Sequence, residues 1–462
     1  MTGKELIQNI NSESVEGFLG SLYGEEIDAA KKRYRALIEG FINFADRPAR
    51  GTLGFSVDKP VREFKESGGE VRFFSAPGRT ELGGNHTDHN QGKVLAASIQ
   101  LDAVAAAAKR EDGLVIFRST GYPDVVVDLF RDGGSFNLEV NPAEKGSTEA
   151  LIRGIAAEFA AQGTKIGGFS ANADSTVLAG SGLSSSAAAE VLIAKIFDCL
   201  YGDGKRSALD LAKIGQKAEN NYFGKPCGLE DQIAGAYGGA VAIDFQNIAE
   251  PVVSPVRFDL YALGYALCVV NTGGSHVDLT DDYAAIPAEM KAVAAFLGKK
   301  VLRECYKGQV MEKAAEIRKQ IGDRAILRAL HFFSENNRVA DMKESLEKTN
   351  SLFDPYERQG ALGRYLALVN ESGNSSWELL QNIYAPANPT EQGVSLALAV
   401  SRAFLGNLGA VRVHGGGFAG TIQAYVPLSS LESYLGEIEP IFGKGTVTVL
   451  RIRQTGVTEL RV

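Results

Sequence analysis

Gly180-Ser181-Gly182-Leu183-Ser184-Ser185-Ser186 joins a short, turn-prone stretch to an apolar helix expected from Ser185 to a stop at Gly202. No other stretch narrows the choice of fold as much. Backbone N–H groups at a helix start, beside glycines that let the main chain come close, make an anion site. The serine hydroxyls add bonds to phosphate oxygens or to a magnesium ion. Capping a core helix needs only one such residue, so the whole run points to phosphate.

An anionic ligand has to be captured locally. Forty-eight basic residues against 56 acidic leave a net charge of −8, without any Lys/Arg-dense tract. That argues against nucleic acid or a membrane surface as partner. No apolar run reaches the roughly 18 residues of a membrane span, and the N-terminus lacks an apolar leader. Cys199, Cys227, Cys268 and Cys305 form no CxxC pair, which suits a reducing compartment. The cytoplasm is the expected location, and a monomer or weak homo-oligomer the expected state.

At 462 residues the chain can hold two or three domains. Helical periodicity covers about 11–48, and Pro48, Pro60 and several glycines make 46–68 a linker. Strands are predicted at 71–76, 93–99 and 103–108, as a pair around Gly121-Tyr122-Pro123, and at 240–243 and 263–271. Helices are predicted at 147–162, 185–201, 207–222, 281–347, 359–370 and 389–405, and closing strands at 409–414, 420–426 and 446–453. Without regular βαβ alternation, the fold class is α+β. The expected units are a helical extension and linker (1–70), an N-terminal domain (71–245) and a C-terminal domain (246–462).

Three further segments carry chemistry. Ala76–Asn90, expected as a loop between two strands, packs Arg79, Glu81, His86, Asp88 and His89 together. Glu219 falls at the edge of the apolar helix face made by Leu211, Ile214, Ala218 and Tyr222, where a half-buried carboxylate needs a partner such as a cation. Just beyond, Asp231 follows a Pro/Gly turn and precedes small residues, where a ligand can approach. Gly415, Gly417 and Gly420 match GxGxxG, but the strand pattern at Thr421–Val426 replaces the helix a dinucleotide site requires.

Taken with the serine loop, these segments resemble the GHMP kinases, and within them the galactokinases, over about residues 70–460. The resemblance implies a two-domain fold with its active site in the cleft between domains. It also implies an ATP-dependent sugar-1-kinase that makes ADP and galactose 1-phosphate by direct phosphoryl transfer. N-acetylgalactosamine or arabinose are alternative acceptors, and a non-catalytic sugar and ATP sensor is a reading of another class. By resemblance, Asp231 is the catalytic carboxylate, orienting the sugar hydroxyl, and Arg79 faces it. Asn85, His86, Asp88, Gly228 and Tyr283 line the sugar site. Gly180, Ser181, Gly182, Leu183, Ser184, Ser185 and Ser186 cradle ATP, and Ser186 and Glu219 hold Mg2+. The adenine pocket is expected near Arg118-Ser119-Thr120.

Four positions depart from the family pattern. Asn85 replaces a Glu that meets a sugar hydroxyl, Glu81 stands where the family has Asn, His89 replaces Tyr, and Glu230 takes a usually apolar place. A neutral hydrogen bond for a charged one lowers its worth from about 1.5–3 to about 0.5–1.5 kcal/mol. These exchanges bear on the identity of the sugar rather than on phosphoryl transfer.

Overall fold

Two long antiparallel strands, β1 (Arg72–Gly83) and β2 (Lys93–Arg110), set the architecture. Side chains alternate between sheet faces: Phe73, Val104, Ala106 and Ala108 share one buried cluster, and Phe74, Ala105 and Ala107 another. The sheet is therefore covered on both faces. The computed structural model describes residues 9–43, 49–50, 56–57, 70–131, 134–177, 180–274 and 279–460.

The remaining strands are β3 (Leu114–Ser119), β4 (Val125–Asp128), β5 (Gly168–Ser175), β6 (Ala240–Asp244), β7 (Val252–Val256), β8 (Tyr265–Asn271), β9 (Ala410–His414), β10 (Thr421–Pro427), β11 (Val447–Leu450) and β12 (Thr458–Leu460). The larger sheet runs β12-β1-β2-β5-β3-β4, with β6 on the first half of β2 and β7 on β6. The smaller sheet runs β9-β10-β8-β11. Strands on either side of position 245 thus share the larger sheet. We propose that the first domain takes in residues to about 256 together with the C-terminal strand.

The predicted strands at 93–99 and 103–108 are one strand. Ser98 and Gln100 keep extended partners in Arg453 and Arg451, so the polar middle of β2 never leaves the sheet. β5 escaped prediction because its small and polar residues (Gly-Phe-Ser-Ala-Asn-Ala-Asp-Ser) lack a β-branched signature; it lies between β2 and β3, where small side chains fit.

The N-terminal pattern is two helices, α1 (Glu13–Tyr23) and α2 (Ile27–Ile42), broken at Gly24 with φ 54°. Leu19, Tyr34, Leu37, Ile38 and Phe41 pack on the Phe73/Val104/Ala106 face. The predicted linker at 46–68 lies mostly outside the described residues; within it Ala49 pairs with Val57 and Arg50 with Ser56. The other face carries α3 (Thr148–Ala161), α4 (Ser185–Tyr201) and α5 (Ala208–Ala218).

The helical pattern predicted over 281–347 is a series of helices, α7 (Thr280–Phe296) and α8 (Asp323–Ser351) with shorter helices between them. Gly298 (φ 73°) and Gly322 (φ 117°) take conformations that end or start helices. α9 (Pro355–Ser375), α10 (Gly393–Leu405) and α11 (Leu431–Phe442) complete the second half. No helix among the described residues is long and apolar enough to cross a membrane.

Candidate active site

The Ala76–Asn90 segment is strand for half its length, which corrects its reading as a loop. β1 continues through Pro77 to Gly83, so Arg79 and Glu81 leave the same face two residues apart. The Arg79 backbone N–H donates to the Leu183 carbonyl at 3.0 Å, and its side chain donates to the Gly182 carbonyl. Its guanidinium grips Asp231 Oδ1, with Nε at 2.8 Å and Nη2 at 2.7 Å. Asp231 is the second residue of a helix the sequence did not suggest, α6 (Glu230–Tyr237). The Ser184 hydroxyl donates to its other oxygen, Oδ2.

That last bond shapes the phosphate loop. Ser184 sits at the helix start with φ 59°, and its hydroxyl makes no capping bond. The first N–H groups of α4 therefore lack a side-chain acceptor, as an anion site requires. Ser185 is half-buried and Ser186 exposed. At Gly182 a Cβ would sit 3.1 Å from His414 Nδ1 and 3.2 Å from Thr421 Oγ1, so the β9–β10 turn presses on the loop. Thr421 donates to the Ser181 carbonyl at 3.3 Å. The GxGxxG run is thus a buttress between two strands, as its sequence context suggested.

Beside the Arg79–Asp231 pair opens a cavity of about 260 Å³ whose walls include Arg79, His86, Asp88, Gly228, Glu230 and Asp231. At Gly228 a Cβ would lie 2.0 Å from Asp88 Oδ2, so any larger residue there would push the Asp88 carboxylate aside. His86 donates from Nε2 to the Gly416 carbonyl at 2.9 Å, and burial lowers its pKa to about 4. The ring is neutral, with Nδ1 left as an acceptor.

Asn85 also lines this cavity, held from behind by a polar network. Its side chain is fully buried, donating to the Gly415 carbonyl at 2.7 Å and to both Glu81 oxygens at 3.2 and 3.3 Å, and accepting from Asn382 at 2.8 Å. Glu81 in turn pairs with the buried Arg412. The residues at 81 and 85, singled out separately in the sequence, are therefore touching side chains, with the carboxylate on the one that Arg412 reaches. Tyr283 stands behind the wall, donating to the Gly417 carbonyl at 3.0 Å with its ring on Phe418.

Glu219 begins a π-helical turn and is 3% exposed. Lys225 reaches its Oε1 at 3.2 Å and Gln232 its Oε2 at 3.1 Å. Sequence reasoning missed Glu190, one turn beyond Ser186 on α4, which shares the Gln232 amide at 2.9 Å. Glu190 Oε1 has no hydrogen-bond partner, and burial followed by the nearby Glu219 pushes its carboxyl up to about 8. Two buried carboxylates facing one half-exposed lysine lack positive charge, and this donor set fits a divalent cation. The i, i+4 spacing of Ser186 and Glu190 was the signal available in the sequence. Near the predicted adenine segment, the Thr120 N–H bonds the Ala173 carbonyl, on the strand that leads toward the phosphate loop.

The chain is similar to known proteins. Residues 61–109 match the galactokinase galactose-binding signature, and residues 150–239 match the GHMP kinases N terminal domain. A galactokinase of Mannheimia succiniciproducens is 31% identical over 77% of this chain and 86% of its own length. One from Actinobacillus pleuropneumoniae is 30% identical over 77% and 85%. In fold, the chain resembles a Lactococcus lactis galactokinase complexed with galactose (TM-score 0.69, 24% identity, 85% and 95% covered). It also resembles a Methanococcus jannaschii mevalonate kinase (TM-score 0.56, 13% identity, 83% and 98% covered).

Proposed function

We propose, for a chain that belongs to the galactokinase family of GHMP kinases and is a galactokinase-like sugar kinase using ATP, that the acceptor is the C1 hydroxyl of galactose. One observation carries this reading: Asp231 is bonded at once to Arg79 and to a serine of the phosphate loop, at the edge of the acidic cavity. An aspartate tied to that loop is within reach of both a terminal phosphate and a hydroxyl bound in the cavity.

Asp231 acts as a positioner. Its charge is compensated by Arg79, so it aligns the hydroxyl more than it removes the proton, which suffices for a loose transition state. When Ser184 rotates to a phosphate oxygen, Oδ2 of Asp231 is freed for the sugar. The free N–H groups at the start of α4 take phosphate charge, and Arg79 meets the charge on the group in transfer. Ser186 and Glu219 would hold Mg2+, with Glu190 behind them; bound there, the ion would neutralise phosphate charge. His86 and Asp88 offer the sugar an acceptor each. The four cysteines are unpaired, in keeping with the cytoplasm.

A related sugar is the second reading, favoured by the Glu81/Asn85 pair and by Glu230. Coupled ADP release with galactose, N-acetylgalactosamine and arabinose separates the two. Galactose is expected to show the highest kcat/KM. A higher value for another sugar transfers the assignment to it, and ATP binding without turnover on any sugar indicates a sensor.

A further inference from the structure

Glu230 opens α6 beside Asp231, is 8% exposed and lines the cavity. Its Oε1 has no hydrogen-bond partner, and it forms no ion pair among the described residues. The neighbouring acids Glu81 and Asp231 are engaged, Glu81 by Arg412 and Asn85 and Asp231 by Arg79 and Ser184. A buried carboxyl without a partner is costly, and a structure keeps one where something else satisfies it.

We propose that Glu230 is a specificity-determining residue whose carboxyl hydrogen-bonds one ring hydroxyl of the acceptor sugar, selecting sugars that carry oxygen at that position. This rests on the sugar-kinase reading. Burial, then Glu81, Asp231 and Asp88 against the opposing Arg79, hold the carboxyl well above its usual pKa. That favours the un-ionised acid, which can both donate and accept, and a hydroxyl can do the same in return. The apolar residue usual at this position in the family offers neither.

The test compares kcat/KM of the wild type, Glu230→Gln and Glu230→Leu on galactose and its 2-, 3-, 4- and 6-deoxy analogues. The wild type should discriminate against one analogue by roughly ten- to a hundredfold, the effect of leaving a buried polar group unpaired. Glu230→Leu should lose a similar factor on galactose, mainly through KM, and treat galactose and that analogue alike. Glu230→Gln, of equal size and still hydrogen-bonding, should keep most of the discrimination. Glu230→Leu should melt no lower than wild type, since it removes an unpaired buried group.

An unchanged galactose KM in Glu230→Leu, or an equal loss on every analogue, would overturn the proposal. Calorimetric binding of the same sugars keeps the two readings apart. Coupling to one ring position without turnover would remove the kinase reading alone. Turnover without coupling would remove the role of Glu230.

Discussion

Asp102 and Glu230 are both buried acids next to β1, yet their surroundings are opposites. Asp102 is fully buried and receives Tyr23 at 2.6 Å, Arg33 at 2.5 Å, Ser75 at 2.5 Å and Arg453 at 2.8 Å. Burial works against its charge, but Arg33 and Arg453 outweigh it and hold its pKa below the usual value. Glu230 receives nothing. One site ties α1, α2 and the C-terminal segment to the larger sheet; the other holds hydrogen-bonding capacity in reserve. Of these two acids, the satisfied one holds the protein together and the unsatisfied one lines the cavity.

Removing the charge at Asp102 should have the largest effect. Asp102→Asn leaves the buried Arg453 without its counter-charge and Arg33 with Asp174 alone, and loss of one partner from a buried ion pair costs about 3–5 kcal/mol. Denaturant unfolding should register that loss. Limited proteolysis should cut first near α1 and α2, while kcat of the folded fraction stays at the wild-type level.

Asp231→Asn shifts the weight from stability to rate: Arg79 loses its partner at a half-exposed carboxylate, a smaller loss of stability than at Asp102, while kcat falls by at least about a hundredfold, the range for loss of a catalytic positioning group. Single-turnover kinetics measures it, and wild-type rates would refute the role of Asp231.

Asn85→Glu places a second carboxylate against Glu81 and should destabilise by about 1–3 kcal/mol, as an unpaired buried polar group does. Adding Glu81→Asn should recover part of that loss. Additive single effects in a double-mutant cycle would show that the two positions do not act as a pair.

The gentlest test uses acid. Burial pushes the Glu335 carboxyl up, but Arg338, His331 and Arg412 outweigh it and hold it at about 2. Ser372 and the Gly84 N–H, on the turn after β1, donate to it at 2.6 and 3.0 Å. A folded pKa below the unfolded value of about 4.3 contributes stability above pH 4.3 that is lost as pH falls toward 2. Melting curves should show that slope between about pH 4 and 2, and Glu335→Gln should flatten it.

The chemistry of the site was legible in local patterns. The serine loop, Asp231 and Glu219 each sit in a segment whose spacing signals a loop, turn or helix edge, whereas Arg79 lies on a strand where a loop was expected. Residues whose role comes from long-range pairing were not legible. Glu190 reads as one more residue in a helix, Arg412 as a charge in a strand, and the Glu81/Asn85 pair as two separate departures.

By itself the sequence determined many of the element types, the helix start expected to bind an anion and the strand context that excludes a dinucleotide site, because these depend on neighbours within a few residues. The tertiary structure alone decided which charges are neutralised. Arg412 lies 331 residues from Glu81 and Ser184 lies 47 from Asp231. Whether a buried acid is a strut or a ligand group depends on who arrives beside it, and chain folding over such distances decides that.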